Sequence, residues 1–249
     1  TLNRGAFAPP LPWMLALLSL ITLLLTPPAT VMVIQFSARG NRSLPIVSVP
    51  AERAKEQPAY LLTVRLHNQR SLRSAEQRQA IEDALAMAQE VCALYPGLAV
   101  AVQERGLVLL ISKAQTDGLT AVYASLLLQH LLREYETLGE FRCHLCHVIS
   151  PKDPAEITAM AVDAIEEITN LEQNLTLASL AKAETALMTA EVFTDLDAEQ
   201  REWAQEFTHP ILEDLAPQEA FYSVERLPER EQMLITGQAQ VVLGFNMAT

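Results

Sequence analysis

Residues 60–112, YLLTVRLHNQRSLRSAEQRQAIEDALAMAQEVCALYPGLAVAVQERGLVLLIS, carry the hydrophobic periods that decide the fold. Tyr60 to Leu66 is a nearly continuous apolar run, the pattern of a central strand. Ser74 and Gln77 have the spacing of a capping box. Ile81, Leu85, Ala88, Cys92 and Tyr95 then recur every three or four residues, which predicts a helix packed on a sheet. Pro96-Gly97 stops it. Leu98 to Val102 and Leu107 to Ile111 follow as two short strands around Gln103-Glu104-Arg105-Gly106, a hairpin.

Downstream, Asp117 is placed to cap a helix over Leu119 to Leu138, ended by Gly139. Its Leu126 to Leu132 stretch is more apolar than one packed face requires, so it reads as deeply buried or as a homodimer surface. Phe141 to Ile149 reads as a strand. Asp153-Pro154 opens a predicted amphipathic helix through Ile157, Ala161, Ile165, Ile168 and Leu171, with Asp163, Glu166 and Glu167 on the wet side. Beyond it the pattern weakens. Leu175 to Ser179 reads as extended, Ala183 to Ala190 as helix, Asp197 and Gln200 as the cap of another helix, and Phe221 to Val224 as a strand. The tail from Glu229 to Phe245 fits helix or strand. Hairpins interrupt the βα alternation, which predicts an α+β domain with a mixed or antiparallel sheet and helices on one face.

Upstream, no charged side chain occurs between Arg4 and Arg39. An apolar run of that length is enough for one membrane-spanning helix. Basic residues follow the run (Arg39, Arg42, Arg53, Lys55) more than they precede it, which predicts a cytoplasmic domain. The resulting plan is a transmembrane anchor over 1–40, a linker over 41–57 and a domain over 58–249. The first residue is Thr1, so an upstream piece is expected to be missing or processed. The formal net charge of -12 and pI near 4.9 disfavour nucleic acid as a partner. Three cysteines do not make a disulfide framework and suit a reducing compartment.

Cys143-His144-Leu145-Cys146-His147 has the spacing of a c-type haem attachment string. Strand alternation sends Cys143 and Cys146 to opposite faces, and zinc would lack a fourth ligand. The string is therefore expected to be ordinary strand, with a redox or haem role as the lesser alternative. His130 reads as a boundary or interface residue of the leucine-rich helix, His67 and His209 have no visible catalytic companions, and no phosphate loop occurs. No catalytic residue, metal or cofactor is assigned.

The strand, helix and tight hairpin of 60–112 resemble the opening of class III nucleotide cyclase domains, whose fold is ferredoxin-like. Active members of that family carry metal-holding aspartates at the end of the first strand and at the hairpin turn. Here those positions fall at Arg65 and Arg105. Guanidinium cannot ligate Mg²⁺, so the resemblance implies a degenerate, non-catalytic domain. Arg65 and Arg105 would then converge as an anion- or nucleotide-binding pair. Pro58 to Leu62, Leu175 to Ser179 with Ala183-Glu184, and Phe221 to Val224 are similar to the bacterial inner-membrane "virulence factor haemolysin" family of the YtjB/AhpA type. That likeness implies a membrane-tethered signalling or regulatory protein, acting through a cytoplasmic partner or a second copy of itself. A divergent nucleotide cyclase or hydrolase is the alternative.

Overall fold

The computed structural model describes residues 56–246, apart from 136, 158 and 159. The predicted anchor over 1–40 and nearly all of the 41–57 linker lie outside the described residues. Among the described residues no helix is long and apolar enough to cross a membrane.

Strand β1 (Gln57–Leu66) leads through helix α1 (Ser74–Leu94) to β2 (Gly97–Val102) and β3 (Gly106–Ser112). Helix α2 (Gly118–Glu134) then returns the chain to β4 (Phe141–Ser150). These four strands lie in the antiparallel order β2-β3-β1-β4, a ferredoxin-like βαββαβ arrangement. The second half follows with α3 (Val162–Ile168), α4 (Leu171–Leu180), β5 (Ala186–Thr189), α5 (Ala190–Thr194) and α6 (Ala198–Arg201). It ends in β6 (Ala204–Phe207), α7 (Pro210–Leu215), β7 (Phe221–Val224) and α8 (Glu229–Asn246). β5 pairs parallel to β4, and β7 and β6 extend that edge to a mixed seven-stranded sheet.

β1 explains its own composition. Tyr60, Leu62, Val64 and Leu66 enter the core with Ala84, Met87 and Val91 of α1 and Leu127, Leu128 and Leu131 of α2. Ala59 and Leu61, pointing the other way, pack with Val108, Leu110, Ile165, Leu171 and Leu175. Both faces are covered, so no polar alternation survives in the run. Helices therefore lie on both sides of the sheet, where the sequence predicted one.

Several boundaries differ from the sequence reading, each for a local reason. The first capping interaction sits one residue earlier than predicted, with Glu76 accepting from the Arg73 amide at 2.8 Å. Gln77 instead donates to the Gln69 and Leu72 carbonyls. The predicted helix from Asp153 to Leu171 is broken into a short 3-10 turn (Pro154–Glu156), α3 and α4. Thr169 is extended at the break, and the Asn170 side chain caps a new helix by accepting from the Gln173 amide. Leu175 to Ser179 is thus helical. Ala183 to Ala190, predicted helical, holds β5, because the edges of β4 and β7 supply its backbone partners.

Of the two readings of the α2 leucines, deep burial is the one that holds for most of them. Leu127, Leu128 and Leu131 are fully buried, and α8 packs across α2 within the same chain. The tail is one helix despite Gly237 and Gly244, neither of which has any neighbour at its absent side chain.

Gly106 differs from those two. Its φ of 151° and a position where a Cβ would run into the Val64 carbonyl oxygen admit only glycine. Gly106→Ala is expected to cost at least about 2 kcal/mol in urea unfolding. Gly237→Ala, in an exposed helix, is expected to gain about 0.5–1 kcal/mol. Equal effects from the two would show that the hairpin does not need the glycine.

Candidate functional site

The carboxyl end of β1 gathers three arginines. Arg65 stands opposite Gly106 of the hairpin on one side and opposite Arg142 of β4 on the other. Arg105 occupies the hairpin turn, whose carbonyl accepts from the Leu66 amide at 2.8 Å. Burial, and then the neighbouring Arg105 charge, pull Arg65 below the usual arginine range. The structure thus sets the two sequence-predicted arginines side by side. Their surroundings differ. Arg105 makes an ion pair with Glu172 in the first turn of α4. Arg65 has no hydrogen bond or ion pair from its side chain to any described residue. Arg142 was missed in the sequence, although its place in the strand opposite Arg65 was available once the register was known. Its Nε is buried without a partner among the described residues, and Glu140 approaches no closer than 3.9 Å.

Such a set does not fit a divalent cation. Mg²⁺ takes anionic or neutral oxygens, whereas the groups here are three guanidiniums and two carboxylates, Glu172, engaged by Arg105, and Glu140, facing Arg142. The set fits an anion, since guanidinium presents fixed, paired N–H donors to phosphate or carboxylate oxygens.

A second polar cluster lies toward the other end of β1. The Tyr60 hydroxyl and Lys113 Nζ donate to Asp195 Oδ2 at 2.7 and 2.6 Å, and His147 Nε2 lies 2.8 Å from the same oxygen. Tyr60 and His147 are cross-strand partners on β1 and β4. Asp195 is brought over them by α5, which it ends. Burial opposes ionisation of Asp195, but the Lys113 and Tyr60 hydrogen bonds and the nearby His147 and Lys113 charges outweigh it and hold the carboxyl below its usual range. Burial first, and Asp195 second, push the Tyr60 phenol up. Asp195 is not singled out by any pattern in the sequence.

In the Cys143 to His147 string, strand alternation holds. Cys143 joins the core under α2, and Cys146 joins the opposite layer, its thiol 3.3 Å from Asn174 Oδ1. Two sulfurs on opposite faces cannot grip one macrocycle. Among the described residues no group of three His, Cys, Asp or Glu side chains is placed to hold a metal ion.

The fold has counterparts among solved structures. The catalytic core of a rhodopsin-guanylyl cyclase in complex with ATPalphaS superposes with a TM-score of 0.50 at 7% identity, over 68% of this chain and 96% of that one. The dimeric guanylyl cyclase domain of the RhoGC fusion protein from the aquatic fungus Blastocladiella emersonii gives 0.47 at 10% identity, over 69% and 98%. The adenylyl cyclase CyaB from P. aeruginosa gives 0.43 at 12% identity, over 70% and 95%. The domain has a nucleotide-cyclase fold. No family model matches the chain, and no curated protein matches it. The haemolysin-family likeness thus finds no support.

The expectation of a domain that is not an enzyme is corrected by these matches. The fold is shared with the catalytic core of a guanylyl cyclase. Two missing carboxylates disqualify two positions as metal ligands, and that is all they disqualify.

Burial pushes the thiols of Cys92, Cys143 and Cys146 up to about 12. At pH 7.5, iodoacetamide should therefore leave all three unmodified in the folded protein over a time that alkylates all three in urea, as read by intact mass. Rapid native labelling of any of them would refute the burial. For Asp195, the lowered folded-state value means that its stabilisation is complete above the unfolded carboxyl value of about 3.9 and is lost as pH falls through the folded one. Asp195→Asn should lower Tm at pH 6–7, and the difference from the parent protein should shrink below about pH 4. A difference independent of pH would assign the loss to packing.

Proposed function

We propose that this is a divergent nucleotide-processing domain, in which Arg65, Arg105 and Arg142 take the phosphates of a nucleoside polyphosphate at the carboxyl end of β1. The observation that carries the reading is Arg65 itself. It is half-buried beside a second guanidinium and has no carboxylate partner among the described residues. Holding like charges together without compensation is unfavourable, and a polyanion relieves it. The shared fold, and the binding of ATPalphaS by a protein that has it, support a nucleotide as that polyanion.

The chain's own groups suit phosphorus chemistry of a restricted kind. Attack by a ribose hydroxyl or by water displaces a phosphate-bearing leaving group, whose growing negative charge fixed guanidiniums oppose. Glu172 sets the resting state by engaging Arg105, and phosphate binding replaces that ion pair. The pair is exposed, with side-chain accessibilities of 41% and 66%, so its loss costs little. The uncharged run near the amino terminus supports a tether holding the domain at the cytoplasmic face of a bacterial inner membrane.

The test uses the full chain in detergent, with ATP and GTP, in chelator and with Mg²⁺. Binding is followed by calorimetry, and cyclic nucleotide, diphosphate and phosphate by chromatography. Arg65→Ala and Arg105→Ala are each expected to weaken binding about tenfold or more, the loss of one charge-assisted contact. Glu172→Gln should tighten it by up to about fivefold, because a surface pair is worth at most about 1 kcal/mol. Absence of nucleotide binding and of every product in the parent protein would end this reading.

A further inference from the structure

A cavity of about 520 Å³ lies where helices α2 and α8 meet the turn before β5 and the end of β7. Leu126, Leu227 and Ile235 give it an apolar floor. The charged residues around that floor do not balance. Arg133 Nη1 meets Glu184 Oε2 at 2.7 Å, and Lys182 is paired with Glu225. Arg226 is the third cation of the lining. Its exposed side chain has no hydrogen bond or ion pair to any described residue.

Two neutral groups stand with it. His130 Nδ1 lies 2.9 Å from Arg133 Nη2, and a guanidinium can only donate, so Nδ1 accepts and the ring proton is on Nε2. Burial first, and then the Arg133 charge, pull His130 below the usual histidine range, which keeps the ring neutral at pH 7. Neither Nε2 nor the Gln232 carboxamide has a partner among the described residues. His130 is half-buried and Gln232 exposed, so both remain within reach of a ligand.

This lining narrows the occupant. Among the described residues three cations face two carboxylates, which leaves one positive charge to be answered and suits a monoanion. A polyanion would be pressed against Glu184 and Glu225. A metal ion is a poor fit, since no three ligating side chains converge among the described residues. A small hydrated ion would leave the floor against water, whereas a ligand with an apolar body covers it. The free cation is a guanidinium, whose fixed pair of N–H donors matches a carboxylate.

We propose that this cavity binds a small organic monocarboxylate, with its carboxylate on Arg226 and its hydrocarbon or aromatic body over Leu126, Leu227 and Ile235. His130 Nε2 and Gln232 supply neutral donors to the same ligand. The site shares no residue with the arginines at the end of β1 and does not rest on their role. They face a polyanion, and this cavity faces a single charge. Because Gln232 and Ile235 come from α8 and Leu126 and His130 from α2, the ligand bridges the two helices and stabilises their packing.

The experiment titrates the full chain in non-ionic detergent with 3-phenylpropionate and hexanoate by calorimetry, then with the primary amide of each and with phenyl phosphate. Arg226→Gln, Thr236→Trp and Arg65→Ala are carried in parallel, with Tm measured on each. At least one carboxylate is expected to bind and to raise Tm, and its amide to bind about tenfold or more weakly, the loss of one charge-assisted contact. Arg226→Gln should leave the ligand-free Tm unchanged and bring the acid down to the affinity of its amide, without altering the amide. Thr236→Trp, which fills the cavity from α8, should abolish binding of both, and Arg65→Ala should alter neither. No heat from either acid, the result for a cavity holding only water, overturns the proposal. So does an amide that binds as tightly as its acid, an acid that Arg226→Gln leaves unaffected, or phenyl phosphate binding more tightly than both acids.

Discussion

Strand β1 is paired along its length to β3 on one side and β4 on the other, with both faces under helices. That confinement governs the rest of the structure. A side chain at the middle of such a strand meets only other side chains, so Leu61, Leu62 and Val64 are fully buried. Polar function is pushed to the two ends. Tyr60 reaches out near one end, through its hydroxyl, to Asp195. Arg65 reaches out at the other, beside the hairpin turn. The positions of both polar clusters are thus consequences of where a central strand stops being central.

The same confinement explains which parts of the fold could be read from the amino acids. A strand buried on both faces, a helix with a regular inner face and a four-residue hairpin turn are local patterns, and all three sit where the sequence predicts them. The second half of the chain is built differently. Its strands are four residues long, and Ala186 to Thr189 has no period of its own. It becomes strand because β4 and β7 offer it backbone partners, information held in other segments. The break at Thr169 was harder still. An amphipathic period ran through it without interruption, and only the capping preference of Asn170 competes. The tail, which fitted helix or strand, is helical in spite of Gly237. A glycine lowers helix propensity by about 1 kcal/mol, and packing of α8 on α2 outweighs it.

At the arginine cluster, chemistry was legible and environment was not. Residue types at the strand end and hairpin turn could be named from the sequence, and so could their unfitness for Mg²⁺. Arg142 could not, because its role depends on the β1–β4 register, which places it opposite Arg65. Nor could Glu172, which arrives from a helix predicted as something else. The step from missing carboxylates to missing catalysis went further than the residues allow. Positive charge fixed in protein can oppose developing negative charge on phosphate by itself, and a metal is one way to supply it among others.

Helix α4 gives the two halves of the domain their common element. It covers the face of β1 that α1 and α2 leave open, through Leu171 and Leu175. Its first turn carries Glu172 to Arg105, and the next two residues, Gln173 and Asn174, border a cavity that His144 also lines. Asn174 also receives the Cys146 thiol and donates to the Thr169 hydroxyl, so the helix is fixed in rotation as well as in position. A ten-residue helix cannot turn Glu172 without turning Asn174, since both sit within one turn of the same rigid ladder. The ion pair at the hairpin and the Asn174 contacts with Cys146 and Thr169 are therefore set by one element. What holds that element in place is the apolar layer between it and β1.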